Sequence, residues 1–189
     1  MSTVRASAAP PALDGWVADP AVRTFHRREA RAEPDALWRA AATVRVGESG
    51  LLGHLIRWRV PGTRAEQTYR EMFSSSPFVD VAHGDGHLLA GLCGRIWSAR
   101  PTLADLSGPD DFRRWSTPGT VRVLFAQWVE ATAAGSALIS EVRVAPVDVA
   151  ASARLRRLWP LIRRFEPLIS TEPLGLAVRR AESTRFRRV

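Results

Sequence analysis

Residues 119–145, GTVRVLFAQWVEATAAGSALISEVRVA, and residues 149–165, VAASARLRRLWPLIRRF, decide the fold between them. The first stretch has the two-residue period of paired strands: Gly119 to Glu130 and Ser136 to Ala145 flank Ala-Ala-Gly, a turn sequence, and so predict an antiparallel hairpin. In its second strand Leu138, Ser140, Val142 and Val144 alternate with Ile139, Glu141, Arg143 and Ala145, so the charged set is expected to face water and the other set the interior. In its first strand Val123, Phe125, Gln127 and Val129 share the interior parity, which makes Gln127 an inward polar residue. In the second stretch the period becomes helical. Leu155, Leu158, Trp159, Leu161, Ile162 and Phe165 fall on one arc, with Arg156 over Arg163 and Arg157 over Arg164 on the other. Pro160, Pro167 and Pro173 predict that this long helix is kinked or broken, because each removes an internal hydrogen bond.

Upstream, Ala21 to Ala30 reads as an extended segment, and Glu33-Pro34-Asp35 starts a helix running to about Val44. Ser49 to Trp58 predicts a second short helix, weakened by Gly50 and Gly53, and Glu66 to Phe73 a third. Phe78 to Ala82 and His87 to Trp97 form a further hairpin around His83-Gly84-Asp85-Gly86, and Thr102 to Thr117 is a polar connection. The first 20 residues, with Pro10, Pro11, Gly15 and Pro20 among small residues, are expected to be a loose lead-in. The expected organisation is therefore a flexible segment 1–20, a domain over 21–182 and a basic tail over 183–189. A strand, several helices, a run of antiparallel strands and a long terminal helix describe an α+β domain whose curved sheet needs its concave face covered. The last helix is the natural cover.

Composition narrows the chemistry. The 189 residues are 46% hydrophobic and 24% charged, the balance of one globular domain. The longest stretch without a charged residue is Ala131 to Ser140, about half of what a membrane span requires. No apolar run near the N-terminus has signal-peptide character, and a cytoplasmic location is expected. The single cysteine, Cys93, excludes an internal disulfide and a cysteine-rich metal site. All 27 basic residues are arginines, which excludes a phosphate-loop or Schiff-base lysine. The net charge of +8 is concentrated after Val149, where ten arginines stand against three glutamates. Solvated helix faces account for that excess more simply than a specific anionic partner does.

This order of elements resembles the SRPBCC superfamily, the START, birch-pollen-allergen and polyketide-cyclase group. The resemblance runs from about Phe25 to Glu182. It is carried by AEPDALW (32–38), LAGLCGRIW (89–97), and EVRV (141–144) followed by ASARLRRLW (151–159). It implies the helix-grip fold, a curved antiparallel sheet wrapped around a long C-terminal helix, and a cavity between sheet and helix that holds an apolar small molecule, lipid or polyketide. No catalytic signature of the family is carried over.

The candidate ligand-binding residues are Phe125, Gln127, Val142, Val144, Leu158 and Ile162 as the pocket lining, with Arg95 as the polar anchor if it points inward. His83 and His87 flank Asp85 but lack an evident fourth ligand, so no metal is expected, and no nucleotide or other cofactor. Cys93, between Leu92 and Gly94 on a strand, reads as a buried inert thiol. The seven tryptophans are scattered over every element and read as packing residues, so nucleic acid is not an expected partner. The expected function is binding of an apolar small molecule. Two rivals stand beside it: a polyketide cyclase or aromatase using His26 or Arg95, and a peripheral adaptor whose basic last helix contacts anionic membrane or RNA. Of the adaptor reading, a weak contact with an anionic membrane surface is retained as an expectation. The oligomeric state is left open.

Overall fold

The computed structural model describes residues 11–60, 62–97 and 101–186, except the side chains of 161–170 and 185–186. Its strands are β1 (Val22–Ala30), β2 (Val79–Gly84), β3 (His87–Arg95), β4 (Thr102–Leu103), β5 (Val121–Thr132) and β6 (Gly135–Pro146). Its helices are α1 (Pro34–Ala42), α2 (Gly50–Arg59), α3 (Tyr69–Phe73), α4 (Pro109–Arg114) and α5 (Val149–Phe186). The strands make one antiparallel sheet in the order β1-β6-β5-β3-β2, with β4 paired to β3. The α5 helix packs against α1, β1 and β6. This is an α+β helix-grip architecture, as the order of elements predicts.

Strand parity sorts the sheet as read from the sequence, but its outer face is not open to water. Val22, Leu92, Val123, Val129, Leu138 and Val144 are buried on the concave side among the helices. On the convex side a second apolar cluster contains Leu89, Cys93, Leu124, Ala126, Trp128, Ile139 and Ala145, covered by Leu13 and Val17 and by Phe112 of α4. Glu141 and Arg143, expected in water, are accordingly 2% and 7% exposed. Arg143 donates to the Asp14 carboxylate and, at 2.7 Å, to the Val17 carbonyl; Glu141 accepts from Arg143 at 2.6 Å and from Arg23 at 2.8 and 3.0 Å. Burial alone would raise the Glu141 carboxyl, but the two guanidiniums outweigh it and hold it below the usual carboxylate range. The segment expected to be loose thus fastens down over residues 11–17, because Leu13, Val17 and these ion pairs supply the burial that its composition hides; residues 1–10 lie outside the described residues.

Two glycines permit the close approaches on which this packing depends. A Cβ on Gly91 would stand 2.6 Å from Cδ2 of Phe112, so the bare backbone of β3 is what lets the α4 ring approach the sheet this closely. A Cβ on Gly53 would stand 2.2 Å from the Val46 carbonyl oxygen, so the residue that weakens α2 as a helix is the one that lets it seat.

Three expectations are corrected. The α5 helix is continuous through Pro160, Pro167 and Pro173 and past position 182, so neither the predicted break nor the tail boundary at 183 falls where expected; residues 187–189 lie outside the described residues. The fixed φ of proline is itself helical, and buried Leu155 on one side and Leu174, Ala177 and Ala181 on the other hold both ends against the fold despite the lost hydrogen bonds. The connection 102–117 contains β4 and α4, whose Phe112 is fully buried. The third short helix begins only at Tyr69, where Thr68 and Glu71 close a capping box: Thr68 Oγ1 accepts from the Glu71 backbone N–H at 3.2 Å and Glu71 Oε2 from that of Thr68 at 2.8 Å.

Candidate ligand-binding cavity

The antiparallel register aligns side chains in rows across the concave face. Ala90, Phe125, Val142 and Thr24 form one row, and Leu88, Gln127, Ser140 and His26 the next. Over them lies a cavity of about 240 Å³. Its floor is Phe125, Gln127, Ser140 and Val142 of the sheet, and its walls are Leu52 and Ile56 of α2, Val60 just past its end, and Tyr69, Met72 and Phe73 of α3. Phe78, Ala41, Val44 and, from α5, Pro173 and Leu174 complete it. Phe73, Phe78 and Phe125 form a closed aromatic triangle with ring centroids 5.1, 5.3 and 5.5 Å apart, which fixes one wall in shape.

Polar groups are few. Tyr69 is the one tyrosine of the chain and is 8% exposed. Its hydroxyl lies near the buried Ser49 hydroxyl, and neither makes a well-formed hydrogen bond among the described residues. Burial pushes the Tyr69 phenol up to about 12, opposed by the Ser49 hydroxyl and reinforced by the negative charge of Glu172. It is therefore a hydrogen-bond donor at neutral pH. Gln127 and Ser140, partners across β5 and β6, contribute a carboxamide and a hydroxyl.

Of the residues singled out from the sequence, Phe125, Gln127 and Val142 meet in this cavity. Val144 is buried in the concave core beside it, outside the lining. Leu158 is half-buried and does not line it, because the helical roof over this part of the sheet is α2 and α3, with α5 entering only at Pro173 and Leu174. The side chain of Ile162 lies outside the described residues. Arg95 is exposed at the end of β3, paired with Thr102, and is no anchor for a cavity ligand. Tyr69 was missed. Its status as the chain's lone tyrosine, inside a segment expected to be helical, was the available signal.

Other candidate chemistry lies elsewhere. Nδ1 of His83 is 2.8 Å from Asp80, and among the described residues no group of three or more histidine, cysteine or acidic side chains could hold a metal ion. Cys93 is fully buried and its thiol is pushed up to about 12 by that burial. A larger cleft of about 440 Å³ between α1 and the end of α5 is rimmed by Arg31, Arg39 and Arg180, and Arg180 is already paired with Glu48 at 2.6 Å. It lacks the aromatic walls of the smaller cavity. No helix among the described residues is long and apolar enough to cross a membrane.

No family model and no curated protein matches the chain. Several solved structures align with most of it. Protein MLL2253 from Mesorhizobium loti is 14% identical over 84% of this chain and 98% of its own, with a TM-score of 0.37. TTHA0849 from Thermus thermophilus is 8% identical over 86% and 99%, with a TM-score of 0.35. Ara h 8.0201 is 11% identical over 86% and 98%, with a TM-score of 0.28. Likenesses this distant carry no assignment of residues or activity, and the reading of the site rests on its own geometry.

Proposed function

We propose that the protein is a small-molecule binding domain of the SRPBCC type that takes a compact, mostly apolar ligand into the cavity above Phe125 and Val142. The observation that carries this reading is the mostly apolar, aromatic-walled space itself, with the Gln127 carboxamide and the Ser140 hydroxyl at its floor and the Phe73, Phe78 and Phe125 rings fixing one wall. The volume of about 240 Å³ is close to the lower end of small-molecule sites, roughly 300 to 1,000 Å³. It corresponds to about eight waters of liquid volume, which suits a single acyl chain or a fused pair of rings and is tight for a multi-ring polyketide. Gln127 and Ser140 can orient such a molecule through one or two hydrogen bonds. Neither of them, nor Tyr69 with its raised phenol, exchanges a proton near neutral pH, which favours binding over cyclase chemistry.

A naphthalene-type fluorescent probe titrated into the purified full-length chain, with native mass spectrometry of the same sample, tests this. Saturable one-to-one binding that Val142→Phe weakens by about tenfold or more is expected, since the added ring occupies the floor of the cavity. Absence of saturable binding, or binding indifferent to Val142→Phe in a variant that melts cooperatively, would overturn it.

A further inference from the structure

The cavity floor carries two polar side chains whose hydrogen-bonding capacity the fold leaves unused. Gln127 and Ser140 stand directly opposite each other on β5 and β6, and both line the cavity. Opposed residues of an antiparallel pair have Cβ atoms about 4.5–5.5 Å apart, which brings the carboxamide and the hydroxyl within reach of a single ligand oxygen. Neither side chain has a hydrogen-bond partner among the described residues. Together they offer N–H and O–H donors and two oxygen acceptors, and none of these groups is charged.

The surroundings of that pair decide which ligand charge it accepts. The chain carries 27 basic and 19 acidic residues and four histidines, yet the fifteen described residues that line the cavity include none of them. On α2 the guanidiniums serve other partners: Arg57 is exposed and donates through Nε to the Gly53 carbonyl at 3.3 Å, and Arg59 donates to the Ile96 carbonyl. The Tyr69 phenol in the wall reports how this space treats an anion. Burial, and behind it the negative charge of Glu172, keeps the phenol protonated up to about 12 against the opposing Ser49 hydroxyl. Both causes act alike on a carboxylate brought beside it. A buried charge without a countercharge is costly, whereas a neutral oxygen hydrogen-bonded to Gln127 and Ser140 is satisfied.

We propose that the cavity selects its ligand by charge: it takes an uncharged molecule whose hydroxyl or carbonyl oxygen sits on Gln127 and Ser140, and it excludes the carboxylate of the same carbon skeleton. Neutral alcohols, ketones and esters are then its ligand class, and ionised fatty or aromatic acids are not. The proposal rests on the ligand-binding reading of this cavity and adds to it the functional group that the floor admits.

Competition of naphthalene, its methyl ketone and 2-naphthoate against the fluorescent probe, on the full chain and from about pH 5 to 8, provides the test. The ketone is expected to bind about tenfold or more tightly than 2-naphthoate at neutral pH. The affinity for 2-naphthoate should fall about tenfold per pH unit, since only its protonated form enters, while that for the ketone stays constant. Gln127→Leu combined with Ser140→Ala should narrow the preference for the ketone over naphthalene about two- to tenfold, the worth of an ordinary hydrogen bond. Naphthalene, which makes no hydrogen bond, reports whether the cavity of the double variant is intact. Three results would overturn the proposal: 2-naphthoate as tight as the ketone at neutral pH, no preference of the parent for the ketone over naphthalene, or a preference unchanged in the double variant. Each of these leaves the cavity reading standing, because the parent still binds naphthalene. Absence of saturable binding by all three compounds and by the probe would remove the cavity reading and this proposal with it.

Discussion

Glu141 and Arg143, two residues apart on β6, meet at 2.6 Å beneath the N-terminal segment, with both side chains nearly excluded from water. The pair is the middle of a chain that runs from Arg23 to Asp14, and through the Val17 carbonyl it ties residues 14–17 to the convex face. Its two partners are not equivalent. Arg23 has a side chain 57% exposed and can return to solvent when Glu141 is lost, whereas Arg143 at 9% cannot. Glu141→Leu is therefore expected to destabilise the fold by about 1–3 kcal/mol, because Arg143 keeps Asp14 and the Val17 carbonyl but loses the buried partner of its Nε. Combining Glu141→Leu with Arg143→Met should recover a substantial part of that loss. Urea melts of the three proteins check it, and a double variant no more stable than Glu141→Leu would mean that the pair is not buried as described.

Gly91 and Phe112 predict a steric coupling across the same face. Gly91→Ala places a methyl within 2.6 Å of a fully buried ring and should destabilise by about 1–3 kcal/mol. Phe112→Leu opens that space, so the two substitutions together should be less harmful than the sum of each alone. Additive losses in a double-mutant cycle would show that β3 and α4 do not press on each other.

How much of this was legible follows from what alternation can and cannot say. The period of β5 and β6 placed Phe125, Gln127 and Val142 on one face correctly, because a pleated strand admits only two parities. It could not say that the other face is also covered, since one charged parity, Glu141 with Arg143, reads the same whether water or a salt-bridged strap lies above it. The clue was in β3, where Leu88, Ala90 and Leu92 on one side and Leu89 and Cys93 on the other are all buried, and an apolar strand on both parities needs cover on both. The cavity's roof was misread for a different reason. Periodicity identifies a buried face of α5 without saying what it meets, so the contribution of α2 and α3 stayed hidden in two short helices with weak patterns.

The C-terminal helix grips the core mainly through Leu155 near its start and Leu174, Ala177 and Ala181 one to three turns before its end. Leu174→Ala is expected to cost about 2–5 kcal/mol. Leu158→Ala should cost clearly less, contrary to the reading from periodicity alone, because Leu158 is half-buried. Truncation after Asp148 removes all four anchors and should leave no cooperative thermal transition. A 1–148 fragment melting near the full chain would sink the helix-grip assignment itself.

Tyr69→Phe separates an orphaned hydroxyl from a satisfied one by the sign of its effect. If the hydroxyl is buried without a partner, deleting it should leave stability at neutral pH unchanged or raise it by about 1–3 kcal/mol, whereas deletion of a satisfied hydroxyl would lower it by about 0.5–1.5 kcal/mol. Alkaline titration gives an independent reading. The unfolded chain releases the tyrosine proton near its ordinary value of about 10, whereas in the folded protein burial pushes the group up to about 12. Between those values the folded state binds more protons than the unfolded one, so stability must fall as pH rises, by up to about 3 kcal/mol for two pH units. Cys93, also pushed up to about 12, adds a fall that begins about one unit lower. In a Cys93→Ala background, urea midpoints from pH 8 to 11 should therefore decline, and Tyr69→Phe should flatten the limb above about pH 10. A Tyr69→Phe protein that is less stable at neutral pH and keeps the full alkaline decline would show that the phenol is neither orphaned nor desolvated.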